Sequence, residues 1–126
     1  MLEEGLTHTS TMTVTFEKTA RVLESGDLSV LATPAMLALM ENAAMLAVAQ
    51  ELEEGSTTVG GHISSSHVKP SKVDAVIGAT ATLTKIDGRK LYFHVVAKDG
   101  DIVIGEGEHL RFVVDRECFM MNLDKG

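Results

Sequence analysis

From Leu31 to Ala49 almost every position is apolar, and the residues are chiefly Ala, Leu and Met. These are strong helix formers, so the stretch predicts one long helix. Thr33 suits its N-cap, and Pro34 suits the first turn, where a missing N–H costs nothing. Gly55 closes the helical run after the charged Glu51-Leu52-Glu53-Glu54. A helix apolar on nearly every side is expected to be buried and wrapped by something larger than itself. One carboxylate, Glu41, lies within it. At about 100° per residue its face holds Pro34, Leu37, Ala38, Ala44, Met45 and Val48, all apolar. A carboxylate so surrounded loses hydration and must find a partner, or its pKa rises.

The rest of the chain reads mostly as strands. Thr11 to Phe16 alternates, which predicts a half-buried strand with Met12, Val14 and Phe16 inward. Thr19 to Leu23 predicts a short helical turn ended by Ser25-Gly26-Asp27. Thr57 to Val68, rich in Thr, Val, Ile and Ser, predicts a strand, and Gly60-Gly61 within it suggests a bulge or a close backbone approach. Lys69-Pro70-Ser71-Lys72 reads as a turn. Ala75 to Ile86 alternates, Asp87-Gly88 signals a tight hairpin, and Arg89 to Lys98 returns with Leu91, Phe93, Val95 and Ala97 on one face. Asp99-Gly100-Asp101 turns again into a last strand, Ile102 to Asp115. Met120 to Gly126 reads as a frayed tail. The pattern predicts an α+β fold in which one central helix lies in a curved antiparallel sheet of about five strands, the later ones neighbours in sequence order. Such a sheet leaves edges, and edges are often paired across a dimer.

Composition narrows this only a little. The chain has 126 residues, enough for one domain with a real core. A net charge of −7 argues against a nucleic-acid partner, though not against a local basic patch for a phosphorylated ligand. The lone cysteine, Cys118, excludes an intrachain disulfide, reads as a small apolar residue and fits a reducing cytoplasm. The acidic Met1-Leu2-Glu3-Glu4-Gly5 lacks the features of a signal peptide. Glu41 and Asn42 interrupt the apolar run, and its flanks lack anchoring Lys/Arg or Trp/Tyr, so a membrane span is not expected.

Four residues are candidates for chemistry, each with a plainer alternative. Glu41 suits a general base or nucleophile, or a structural Glu held by a backbone N–H. His67 suits an oxyanion donor or proton carrier, or an exposed strand histidine. The Thr33 hydroxyl suits a substrate or water contact, or a cap. Gly60 suits a bare N–H aimed at an oxyanion, or a bulge. His62, His94 and His109 are scattered without zinc or iron spacing, so no metal is expected. Gly105-Glu106-Gly107 falls in mid-strand and is no phosphate loop, and no nucleophile elbow is present.

Several stretches together resemble the hotdog-fold thioesterases, and among them the fluoroacetyl-CoA thioesterase branch, over roughly residues 10–118. They are Leu31-Ala32-Thr33-Pro34-Ala35-Met36 through Glu41, Thr58-Val59-Gly60-Gly61, Ser66-His67, Asp87-Gly88-Arg89-Lys90-Leu91 and Ile104-Gly105-Glu106-Gly107-Glu108-His109-Leu110-Arg111. In that branch the catalytic set is a Thr, a Glu eight residues later and a His twenty-six further on, spacings that Thr33, Glu41 and His67 keep. Gly60 falls where the branch has an acyl-pocket glycine. The resemblance implies a hotdog domain over 1–126 and hydrolysis of a small or short-chain acyl-CoA. It implies a homodimer with its sites at the interface, tetramers left open, and no cofactor beyond the CoA of the substrate. Gly60, Gly61, His109 and Arg111 would bind substrate; Lys69, Lys72, His109 and Arg111 are candidates for the CoA phosphates. Val22 to Val30 departs from the branch in lacking aromatic residues over the pocket, and Asp74 stands where many members have Gly. The alternatives are a non-catalytic acyl-CoA or acyl-carrier binder and a hydratase, whose helix-proximal Asp and His pair is not found here.

Overall fold

The computed structural model describes residues 1–125. Strand β1 (Thr7–Thr13) leads through a single 3-10 turn (Phe16–Lys18) and a short helix α1 (Ala20–Leu23) to the long helix α2 (Thr33–Val48). Strands β2 (Ser56–Ser65), β3 (Val76–Asp87), β4 (Lys90–Asp99) and β5 (Ile102–Asp115) follow, and helix α3 (Arg116–Asp124) closes the described chain. The five strands form one antiparallel sheet in the order β1-β3-β4-β5-β2, with α2 packed chiefly over β1 and β3. The hairpins from β3 to β5 are sequential, as expected. Strand β2 is not: it crosses to the far side of β5 and becomes an edge.

The helix is buried on one side only, which corrects the expectation of burial all round. Ala35, Met36, Leu39, Met40, Ala43, Ala44 and Val48 recur at helical spacing and are buried. They meet Ile77, Leu83, Leu91, Phe93 and Val95 of the sheet. Pro34, Ala38, Asn42 and Leu46 are exposed, and Leu37, Glu41 and Met45 lie half-buried between the two sides. A five-stranded sheet can cover one face of a helix, not its circumference.

Three boundaries differ from the sequence reading, each for a local reason. The first strand starts earlier and ends at Thr13. Val14 is buried and bonded to Ala75 O and Asp74 N, after which the chain turns, leaving Phe16 53% exposed. Asp74 stands there at φ 78°, a left-handed conformation that Asp tolerates better than most residues. The N-cap of α2 is Ala32, so Thr33 lies inside the first turn and its hydroxyl does not cap. The tail is helical rather than frayed, because Asp115 caps α3 by accepting from Cys118 N at 3.0 Å.

The Gly105-Glu106-Gly107 run has a packing reason. A Cβ on Gly107 would run into the backbone of Ser64 and Ser65, and one on Gly105 would strike the Ser66 carbonyl and Met36 Sδ. With only hydrogens there, the end of β2 lies directly on β5. Pairing continues past β2, with Ser66 N donating to Glu106 O at 3.1 Å and Val68 N to Ile104 O at 2.7 Å.

Candidate active site

That crossing carries His67 to the start of α2. The run into the helix is tied down on both sides, with Leu31 N donating to Ser71 O at 2.9 Å and Ala32 N to Lys18 O at 2.9 Å. Thr33 and His67 therefore meet: Oγ1 and Nδ1 are 2.7 Å apart. The other ring nitrogen, Nε2, is buried and has no hydrogen-bond partner among the described residues. Burial holds the imidazole below its ordinary pKa of 6.5, so it is neutral near pH 7. A neutral ring against a hydroxyl is an arrangement that can take up and return a proton. The pair lines a cavity of about 310 Å³ with Ala20, Val30, Val68 and Lys69 among its walls.

Glu41 stands two turns along α2 and belongs to a different cluster. Arg111 Nη1 of β5 donates to its Oε2 at 3.4 Å. The carboxylate lies directly against Gly60, where an added Cβ would be 2.7 Å from Oε2. So Glu41 is not stranded among apolar groups: its side chain is 43% exposed and has a cation beside it. It lines a second cavity, of about 330 Å³, with Gly60, Gly61, His62, Ile63 and His109. A larger cavity of about 480 Å³, between Glu51, Leu52, Arg89 and Val113, contains none of these groups.

The doubled glycine of β2 is a bulge, as its sequence suggested. Register slips between Gly60 and His62, leaving Gly61 without a partner residue and under the ring of Phe112. The slip also turns the His62 carbonyl toward His109, whose Nδ1 lies 2.6 Å from it.

Arg111 and His109 are 6% and 2% exposed. They sit behind Glu41 rather than at the surface, where the phosphates of a nucleotide would lie. The guanidinium donates from Nε to Thr58 Oγ1 at 2.8 Å, from Nη2 to Thr58 O at 3.0 Å, and from Nη1 to His109 Nε2 at 3.2 Å. Sequence reasoning missed Thr58. Its signal was period-two spacing: Thr58 and Gly60 share one face of β2, opposite Val113 and Arg111. One chain thus joins Thr33 to His67, and Glu41 to Gly60, Arg111 and His109. It does not join Glu41 to His67. Lys69 borders the first cavity, and Lys72 pairs with Val30. Among the described residues no three His, Cys, Asp or Glu side chains are placed to hold a metal, and no helix is long and apolar enough to cross a membrane.

Known proteins resemble this chain in sequence and fold. The fluoroacetyl-CoA thioesterase of Streptantibioticus cattleyicolor is 38% identical over 90 residues, 71% of this chain; the matched stretch spans 65% of that protein's length. A substituted fluoroacetyl-CoA thioesterase solved in complex with acetyl-CoA is 31% identical, covers 98% of both chains and superposes with a TM-score of 0.92. A thioesterase-superfamily member from Thermus thermophilus is 25% identical, covers 99% of this chain and 95% of its own, and gives 0.89. The family model described as fluoroacetyl-CoA-specific thioesterase, FlK, matches residues 14–117. With α2 and strands β2 to β5 inside that match, the chain belongs to the FlK family of hotdog thioesterases.

Proposed function

We propose that this protein hydrolyses the thioester of a small or short-chain acyl-CoA, with Thr33, Glu41 and His67 as its catalytic set. The observation that carries the reading is the pairing of these residues along one ridge of α2, with Thr33 on His67 and Glu41 on Gly60. The relative solved with acetyl-CoA supports the substrate class.

Eight residues separate Thr33 from Glu41, about 12 Å along a helix axis, which is too far for both to touch one carbonyl. A homodimer closes that gap when Glu41 of one copy faces the Thr33–His67 pair of the other. The bare apolar positions Pro34, Ala38 and Leu46 and the free edge of β2 favour such an assembly.

A thioester carbonyl has little resonance stabilisation, and thiolate leaves readily. Hydrolysis needs a placed attacker and a stabilised oxyanion. Glu41 supplies the attacker, by activating water or by attacking itself to give a mixed anhydride that water then opens. The Gly60 N–H polarises the carbonyl, and Gly61 shapes the acyl pocket. Thr33 orients the thioester, and His67 passes a proton to the departing sulfur. Lys69 and Lys72 meet the CoA phosphates at the mouth. CoA arrives with the substrate, and no separate cofactor is required. The single cysteine is in keeping with a cytoplasmic protein.

The test is release of thiol from a panel of acyl-CoA esters, fluoroacetyl-CoA included. Glu41→Gln and His67→Ala should each lower kcat/KM by about 10²-fold or more. Full activity in a folded Glu41→Gln protein would remove the mechanism. Thermal stabilisation of the wild type by CoA esters with no thiol released would instead indicate a binding protein.

A further inference from the structure

His109 and Arg111 stand two residues apart on β5 and share the inner face of the sheet. Arg111 uses Nε and Nη2 on Thr58, which fixes the plane of the guanidinium. Nη1 remains, with one N–H reaching Glu41 at 3.4 Å and the other held by His109 Nε2, which accepts from it at 3.2 Å and so braces that end of the rigid fork. An imidazole accepts at Nε2 only if its proton sits on Nδ1. The His62 carbonyl, 2.6 Å from Nδ1, demands an N–H there. The bulge in β2 therefore dictates the tautomer.

The groups facing the ring come from every element around it. They are Glu41 of α2, Arg111 of β5 and His62 of β2, while β4 presents the Phe93 ring with centroids 6.3 Å apart. Protonating the ring would set one N–H against another at Nη1 and remove that brace.

We infer that His109 is a positioning residue for thioester hydrolysis: locked as the Nδ1–H tautomer by the His62 carbonyl, it braces the Arg111 guanidinium and so holds the Glu41 carboxylate against Gly60. The inference rests on the reading of Glu41 as the reacting carboxylate. It replaces direct phosphate binding by His109 with a role exerted through Arg111 and Glu41.

Two measurements on the whole chain separate its failure from that of the proposed activity. Nitrogen-15 NMR of the wild-type imidazoles, with His109 assigned by its loss in His109→Gln, should show the Nδ1–H tautomer at about pH 7.5. This readout needs no catalysis, and it decides the lock even where His109→Leu fails to fold. Kinetically, His109→Leu should lower kcat on the order of 10- to 100-fold while KM stays within about threefold. His109→Gln, whose carbonyl can take the Arg111 N–H, should recover most of that loss. An Nε2–H tautomer or an imidazolium at that pH overturns the proposal. So does a folded His109→Leu protein with wild-type kcat. A wild type that hydrolyses no acyl-CoA would fail the activity and leave the tautomer result standing.

Discussion

The Thr33 and Glu41 ends of the α2 ridge carry polar groups under different rules. At Thr33 one short hydrogen bond joins an exposed hydroxyl to a half-buried ring, and little else depends on it. At Glu41 the carboxylate leans on a buried network in which Arg111 alone makes four contacts reaching three residues. On the proposed mechanism, the first end moves a proton. The second is built so that a group stays in place. Removing a member of the first should therefore cost rate and little stability, and removing a member of the second should cost both.

The sharpest way to break this contrast is at Thr33. Thr33→Val should lower kcat/KM by about 10²-fold while the unfolding free energy changes by less than about 0.5 kcal/mol. Thr33→Ser should keep most activity, and a large stability loss in either variant would erase the distinction. Arg111→Met probes the other end. It leaves both oxygens of Thr58 without donors, so it should cost about 1–3 kcal/mol in a urea titration as well as activity. The smallest effect expected is in pH. Burial, and after it the Arg111 charge, hold His109 below its ordinary 6.5, outweighing the Glu41 and His62-carbonyl contributions that raise it. The unfolded chain then binds the extra proton first. Stability is full above about pH 6.5 and declines as pH falls below it. His109→Leu should flatten that part of the decline, leaving the share that His67 contributes in the same direction.

The parts of the fold legible from sequence were those set by local chemistry. The Asp87-Gly88 hairpin, the alternation through β3 and β4, the bulge at Gly60-Gly61 and the existence of α2 all follow from a few neighbouring residues. The one-sided burial of α2 did not, because an apolar helix position looks the same whether a sheet covers it or nothing does. Helix α3 was hidden because Met120, Met121 and Leu123 are exposed and show no buried stripe; only the Asp115 cap marks its start. For the site, the spacing of Thr33, Glu41 and His67 singled out candidates but not who touches whom. Arg111 read as a surface charge fit for phosphates, because its partners lie 53 and 70 residues away. Strand register, not composition, turned it inward.

The bare backbone at Gly105 and Gly107 has an outcome for how the enzyme can change. Main chain rests on main chain there, so His67 inherits the stiffness of the sheet instead of the looseness of a connecting loop. On the roles proposed above, substitutions in the 22–30 stretch should change which acyl group the protein accepts while the Thr33–His67 pair keeps its alignment. On that reading, selectivity and reactivity are separately adjustable in this scaffold.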